Sequence, residues 1–143
     1  MSGPGIRFPI LLVEDDANDS LLLQVAFRKA NIHGPFHAVP NVEQAICYLS
    51  GSGRYADRSQ FPFPSVLLLD LKLPGASGLE VLEWLQRSGI RPPNLSIIVL
   101  TSSRHSEDIE RAYAMGADSY MVKPNSTFDE LAAMIRSLDG LSQ

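Results

Sequence analysis

Four short, largely apolar runs recur along the chain, and each ends in polar residues. The runs are Ile10–Val13, Val66–Leu69, Ile97–Leu100 and Ser119–Val122, and the residues that follow them are Glu14, Asp70, Thr101 and Lys123. Runs without apolar/polar alternation are typical of parallel strands that are covered on both faces. A weaker run over residues 36–39 predicts a further strand, at the edge of the same sheet.

Helical patterns lie between these runs. Apolar positions at i, i+3, i+4 and i+7 occur in Leu23, Ala26, Phe27, Ala30 and again in Phe128, Leu131, Ala132, Ile135. Shorter sets predict helices through Ala45–Leu49, Leu79–Leu85 and Ile109–Gly116, with Ala112 and Tyr113 on the buried face of the last. Asn41 with Gln44 and Thr127 with Glu130 are spaced as capping boxes, and Ser106 is a candidate N-cap. Five β-α repeats predict a doubly wound α/β fold, a flavodoxin-like three-layer sandwich around a five-stranded parallel sheet of order 2-1-3-4-5.

Composition narrows the class of protein. The 143 residues are 45% hydrophobic and 20% charged, and the formal net charge of -4 gives no reason to expect sequence-independent binding to nucleic acid, which needs a basic face. No apolar run is long enough to span a membrane, and residues 1–9 lack the pattern of a signal peptide. The single cysteine, Cys47, excludes an intramolecular disulfide, so we expect a cytoplasmic protein. We also expect one domain over residues 1–143, with its core at about 8–139 and no output domain.

The polar residues after the strands form the candidate site. Carboxyl ends of parallel strands share one edge of the sheet, and ligands bind where the strand order reverses, here between the first and third strands. Glu14, Asp15 and Asp16 follow the first strand, and Asp70 follows the third. Grouped carboxylates without His or Cys favour a hard cation such as Mg²⁺. With the Lys123 ammonium and the Thr101 hydroxyl at the same edge, this set predicts phosphoryl binding, with Asp70 as the nucleophile.

Four segments in register carry a resemblance to a known family. They are Ile10–Asp16 (ILLVEDD), Leu67–Gly78 (LLLDLKLPGASG), Val99–Ser102 (VLTS) and Tyr120–Pro124 (YMVKP). In sequence and spacing the chain resembles the receiver domains of bacterial two-component response regulators, from about Ile10 to Leu138. The resemblance implies that a histidine kinase supplies a phosphoryl group to Asp70.

The resemblance also implies roles for the other residues. Glu14, Asp15, Asp70 and the backbone carbonyl of Lys72 match the Mg²⁺ ligands, whereas Asp16 matches less closely. Lys123 matches the lysine that pairs with the phosphoryl group, and Thr101 and Tyr120 match the switch pair that moves on activation. Gly78 falls where the loop after the acceptor is tight, and Lys123–Pro124 resembles a bond that is cis in the family.

The family's activity is that of a signalling phosphoacceptor rather than an enzyme with a turned-over substrate. The protein would catalyse its own phosphotransfer and a slow autodephosphorylation, on which we expect Lys72 and Ser103 to act. Phosphorylation would alter the surface of the fourth helix, fifth strand and fifth helix. That surface would then contact a downstream protein or form a homodimer, or the phosphoryl group would pass to a phosphotransfer protein. The loop Gly51–Pro64, together with residues 48–51 and 54–57, is similar to the single-domain regulators that partner bacterial phytochromes.

Two other functions stay open at this point. An aspartyl-nucleophile phosphatase is the first, although such enzymes carry a second aspartate two residues after the nucleophile, where this chain has Lys72. The second is a receiver-like binding module that is never phosphorylated.

Other motifs have plainer interpretations. Residues 50–65 are expected to form a surface loop, in which the spacing of Gly51, Gly53 and Ala56 imitates a dinucleotide fingerprint without its strand. Gly34 and Pro35 separate His33 from His37, so a zinc pair is not expected. Cys47 is expected to be buried as a small apolar residue.

Overall fold

A five-stranded parallel sheet forms the centre of the molecule. The structure is a computed structural model that describes residues 9–102, 106–123 and 128–141, with side chains at all of these positions except 101 and 138–141. The strands are β1 (Ile10–Val13), β2 (Phe36–Val39), β3 (Val66–Leu69), β4 (Ser96–Thr101) and β5 (Ser119–Val122). Their order is β2-β1-β3-β4-β5, so the predicted topology and all five predicted strands are confirmed.

The register of the two central strands places their last residues side by side. Val13 of β1 pairs with Leu69 of β3, and the Asp70 backbone N–H donates to the Val13 carbonyl at 3.1 Å. Glu14 and Asp70 therefore leave the sheet at the same level on adjacent strands.

Five helices cover the sheet. They are α1 (Ala17–Lys29), α2 (Val42–Ser50), α3 (Leu79–Ser88), α4 (Ser106–Ala114) and α5 (Asp129–Leu141). A two-stranded antiparallel hairpin of Lys72–Leu73 and Ala76–Ser77, which the sequence analysis did not predict, links β3 to α3. Among the described residues, no helix is long and apolar enough to cross a bilayer.

Alternation along the strands divides the core into two layers. Leu11, Val13, Leu67 and Leu69 face one side, where they pack with buried residues of α2, α3 and α4. Their neighbours in sequence face the other side, which α1 and α5 cover: Ile10, Leu12, Val66, Leu68. Each layer removes one face of the sheet from water, which is why β1 and β3 are apolar at every position.

The predicted helices are confirmed, with local differences. The Asn41 side chain caps α2 by accepting from the Gln44 backbone N–H at 2.8 Å, as predicted. Ser106 is the first residue of α4 rather than its cap, and Thr127 lies outside the described residues. In α4 the prediction for Tyr113 is wrong, because Ala112 alone is fully buried and Tyr113 is 47% exposed. The apolar face by which α4 packs on the sheet is therefore narrower than the i, i+3, i+4 pattern suggested.

The segment after α2 is not a simple surface loop. Gly53–Tyr55 forms a 3-10 turn that buries the Tyr55 ring, which lies 5.1 Å from the ring of Tyr48 and 5.2 Å from that of Phe61. Arg58 donates hydrogen bonds to the carbonyl oxygens of Tyr48 and Leu49, the last turn of α2. Residues 50–65 lie largely at the surface, as predicted, but aromatic packing and the arginine attach the segment to the core, which the sequence did not predict.

The structure also places Cys47, His33 and His37, about which expectations were drawn from the sequence. Cys47 packs against the core layer of α2 to α4, but it is half-buried rather than buried as expected. His33 bonds to Asn31, whereas His37 packs against the rings of Tyr48 and Phe61.

Candidate phosphoryl and metal site

Glu14 and Asp70 are buried carboxylates at the carboxyl ends of the central strands. Each residue is 5% exposed, and they are the charged residues counted as buried in the described part of the chain. Burial, helped by the negative charge of Asp70, raises the pKa of Glu14 to about 7, against the lowering effect of the Lys123 ammonium. A carboxylate of this kind needs a cation beside it to remain ionised.

Asp70 is held through both of its carboxylate oxygens. Its Oδ1 accepts from the Lys72 backbone N–H at 2.9 Å, and its Oδ2 accepts from Lys123 Nζ at 2.9 Å. The backbone of Gly78 lies close to the backbone of Asp70. A Cβ at residue 78 would come within 2.1 Å of the Asp70 carbonyl oxygen. Glycine is therefore required at position 78, in agreement with the tight loop expected there.

Three carboxylates converge closely enough to share one ion. Oxygens of Glu14, Asp15 and Asp70 lie within 4.8 Å of one another, with Asp15 exposed to solvent. An all-oxygen set of this charge fits Mg²⁺ or Mn²⁺, which retain water at the positions that the protein leaves open. Lys72 is at the start of the hairpin, with its side chain in solvent.

Asp16 caps α1 rather than facing the site. Its Oδ1 accepts from the backbone N–H groups of Asn18 and Asp19, at 2.8 and 3.3 Å, and so caps α1. The acidic run is therefore divided: Glu14 and Asp15 face the site, and Asp16 begins a helix. The capping preference of aspartate is the signal that could have separated them in the sequence.

Lys123 brings the carboxylates together. Its ammonium donates to Glu14 Oε1, to Asp70 Oδ2 at 2.9 Å and to Asp19 Oδ2 at 3.0 Å. Burial alone would lower the pKa of Lys123, but the hydrogen bonds to these carboxylates raise it above its ordinary value. Asp19 was not among the predicted site residues, although an acid in the first turn of the helix after β1 must lie near the same edge of the sheet.

Two other predicted site residues, Thr101 and Tyr120, lie on the last two strands of the sheet. Thr101 ends β4, where its backbone pairs with Val122, and its side chain lies outside the described set. Tyr120 of β5 is half-buried against the core layer of α2 to α4. Ser103 and Pro124 are outside the described residues, and with them the bond expected to be cis.

The family model of the response regulator receiver domain matches residues 10–136. The chain belongs to this family. Members take up a phosphoryl group and bind a divalent cation at an acidic cluster of this kind.

Two relatives align over most of the receiver chain. The probable methanogenesis regulatory protein FilR2 of Methanothrix harundinacea is 34% identical, over 92% of this chain and 81% of its own. Response regulator Rcp1 of Synechocystis is 30% identical, over 91% of this chain and 85% of its own.

Solved structures agree with this assignment. Response regulator RPA3017, in red light signalling of R. palustris, superposes with a TM-score of 0.78 at 34% identity, over 91% of this receiver and 90% of that chain. The phosphorylated cyanobacterial phytochrome response regulator RcpA gives a TM-score of 0.72 at 28% identity, covering 94% and 91%. The Mn²⁺-bound form of Rcp1 gives 0.73 at 29% identity, covering 93% and 92%. The receiver is therefore related to phytochrome response regulators.

Proposed function

We propose that this receiver takes a phosphoryl group from a histidine kinase onto Asp70, with Mg²⁺ held by Glu14, Asp15 and Asp70. The observation that carries the proposal is the double hold on Asp70 by the Lys72 backbone N–H and the Lys123 ammonium. Both donors fix the carboxylate in place, and the nearby carboxylates of Glu14 and Asp15 supply the metal ligands. The family carries out this chemistry at an equivalent aspartate.

In the proposed transfer, an Asp70 oxygen attacks the phosphorus of a phosphohistidine. A P–O bond forms, the P–N bond breaks, and the electron pair returns to the imidazole nitrogen, which is then protonated. The ammonium of Lys123 offsets negative charge on the phosphoryl oxygens, as the hydroxyl of Thr101 would by donating a hydrogen bond. The Lys72 carbonyl would be a further ligand of Mg²⁺, and the bound ion would supply positive charge that offsets the negative charge of the phosphoryl group.

The proposed transfer has a direct test. Incubation with acetyl phosphate and Mg²⁺ should add one phosphoryl group to the intact protein, measured by mass spectrometry. Asp70→Asn should abolish the gain, whereas Asp57→Asn, at an exposed aspartate of the loop after α2, should preserve it. A phosphoryl group that persists on Asp70→Asn would contradict the assignment. Sustained release of phosphate from small phosphomonoesters would instead favour the phosphatase.

A phytochrome-type histidine kinase is the proposed donor. Support comes from the similarity to RcpA and to RPA3017, whose names place them in phytochrome and red light signalling. In a panel of purified histidine kinases, a bacteriophytochrome kinase should phosphorylate this receiver fastest. Faster transfer from kinases without a phytochrome would reject this partner and leave the phosphoacceptor role intact.

Phosphorylation is proposed to act through the surface of α4, β5 and α5. Tyr120 would turn inward beside Thr101, and the altered surface would bind a downstream protein or a second copy of the chain. Tyr113 of α4, 47% exposed, offers an aromatic contact there. Light scattering should show a phosphorylation-dependent dimer that Tyr113→Ala weakens and Leu21→Ala, on α1, does not. An unchanged monomer would exclude the homodimer.

A further inference from the structure

Asp19 is a fourth carboxylate at the site, and it belongs to a different element from the others. It lies in the first turn of α1, and its Oδ2 accepts from Lys123 Nζ at 3.0 Å. Its side chain is 26% exposed, against 16% for Lys123. Asp19 is therefore the more exposed member of this ion pair.

The ammonium of Lys123 has three N–H donors, and each has a carboxylate acceptor. Two acceptors, Glu14 and Asp70, also belong to the group of oxygens that can hold an ion. Their charge is shared between Lys123 and any cation, and Asp70 loses its charge once it carries a phosphoryl group. Asp19 is outside that group of oxygens, so its bond to Lys123 does not compete with metal binding.

The position of Asp19 is itself fixed. Its backbone N–H donates to the capping carboxylate of Asp16, which ties the residue to the start of α1. Lysine has a flexible four-carbon stem and loses much rotamer freedom when its ammonium is held in one place. A carboxylate anchored to a helix provides such a hold.

We propose that Asp19 is a positioning residue that holds the Lys123 ammonium against Asp70 through the phosphorylation cycle. The inference rests on the proposed phosphoacceptor function and extends it to a residue of α1. Asp19 acts through Lys123 and touches no reacting atom. Its loss should leave Lys123 free to leave Asp70, which would slow phosphorylation without removing a metal ligand.

Two variants separate the contact from the charge. Asp19→Asn removes the carboxylate, and the double variant N18D/D19N moves it by one residue, so the net charge is kept and the bond to Lys123 is lost. Asn18 is exposed and its backbone N–H caps onto Asp16, so the exchange suits the start of a helix. Asp19→Glu retains a carboxylate, and serves if Asp19→Asn folds poorly by circular dichroism.

Two measurements are required. At saturating Mg²⁺, the rate of Asp70 phosphorylation by acetyl phosphate should fall about threefold to tenfold in both Asp19→Asn and N18D/D19N, and Asp19→Glu should recover part of it. In metal-free protein, NMR of the lysine ammonium groups should show Lys123 protected from exchange with water in the wild type and unprotected in both variants. Lys29 and Lys72, both exposed, are internal references.

Slower phosphorylation together with lost protection supports the proposal. It is overturned if N18D/D19N reacts at the wild-type rate, because charge alone would then explain Asp19→Asn. It is also overturned if Lys123 keeps its protection in both variants. If the wild type takes up no phosphoryl group at all, the proposed function fails and the positioning role fails with it, even where NMR shows that Asp19 holds the ammonium.

Discussion

Glu14 and Asp70 are both buried, and both accept a hydrogen bond from the Lys123 ammonium. The negative charge of each carboxylate is therefore stabilised by Lys123. Removal of one partner from a buried ion pair costs more than the pair contributes, because the charge left behind has lost both water and its counter-ion. At this site two buried carboxylates would be left together. The ammonium therefore has a structural task before any phosphoryl group arrives.

Lys123→Met should lower the free energy of unfolding of the metal-free protein by about 2 to 4 kcal/mol. Urea denaturation in the presence of a chelator measures this free energy, and Lys72→Met, which replaces an exposed lysine, is the control. Mg²⁺ should reduce the difference, because a cation would replace the lost charge. Equal stability of Lys123→Met and wild type without metal would contradict this view of the site.

Gly78 is a second residue on which the site depends. Gly78→Ala should destabilise the fold by about 2 to 4 kcal/mol, because its Cβ would overlap the Asp70 carbonyl oxygen and the backbone must move. Gly75→Ala is the matched control: residue 75 has φ 73° and open space around it, so strain alone should cost about 1 kcal/mol. Thermal unfolding of both variants gives the comparison, and a smaller loss for residue 78 than for residue 75 would refute the steric argument.

At the scale of elements, α2 and the segment after it form one unit. The Tyr48 hydroxyl donates to the Pro62 carbonyl at 2.9 Å, and Arg58 binds carbonyl oxygens at the end of α2. Burial raises the pKa of Tyr48 to about 12. The neutral phenol is the form that the folded state favours.

This gives a pH dependence with a definite sign. The contribution of Tyr48 to stability is present below its ordinary pKa of 10 and is lost as the pH rises through about 12. Wild type should therefore lose more stability over this interval than Tyr48→Phe, which has no phenol to ionise. Urea unfolding at a series of alkaline pH values measures it, and parallel losses in the two proteins would show that the ring is not held neutral.

Arg58→Ala should destabilise the protein by about 2 kcal/mol, because carbonyl oxygens of α2 and of Phe61 lose a charged donor. Arg54→Ala is the control, since Arg54 is exposed and lies over the Tyr55 ring at 5.1 Å. Chemical denaturation compares the two variants. A larger effect for Arg54 would mean that ring contacts, not the carbonyl bonds, hold this segment.

The strands of the sheet could be predicted from the sequence, whereas several contacts between side chains could not. The apolar runs identified every strand of the sheet, since β1 and β3 are covered on both faces and admit no polar position. The packing of Tyr55 and Phe61 was missed, because the Gly and Pro residues around them suggested turns, and such residues do not predict that the rings contact Tyr48. Asp19 was missed for a similar reason: its partner Lys123 lies far along the chain, and only the fold brings the two together.

At the scale of the whole molecule, the fold gathers the carboxylates of Glu14, Asp15 and Asp70 at one edge of the sheet, in a chain whose formal net charge is -4. A cation that binds the folded state and not the unfolded chain stabilises it in proportion to the logarithm of its concentration. Mg²⁺ should therefore raise the free energy of unfolding of the whole receiver.

Mg²⁺ at about a hundredfold excess over its dissociation constant should add about 2.7 kcal/mol to the stability of the wild type. Asp15→Asn should remove most of this gain, whereas Asp16→Asn should retain it, because asparagine caps a helix as well as aspartate does. The two substitutions remove the same charge from adjacent residues. Calorimetry with and without Mg²⁺ checks the difference, and equal losses would place Asp16 among the ligands.

The side-by-side ending of β1 and β3 limits how such a protein can change its length. One residue inserted within either strand would turn its terminal acid toward the opposite face, so Glu14 and Asp70 could no longer meet. Insertions and deletions can accumulate only in connections beyond the sheet, such as the segment after α2. Lineages of this protein should therefore diverge by lengthening those connections while the two central strands keep a constant length.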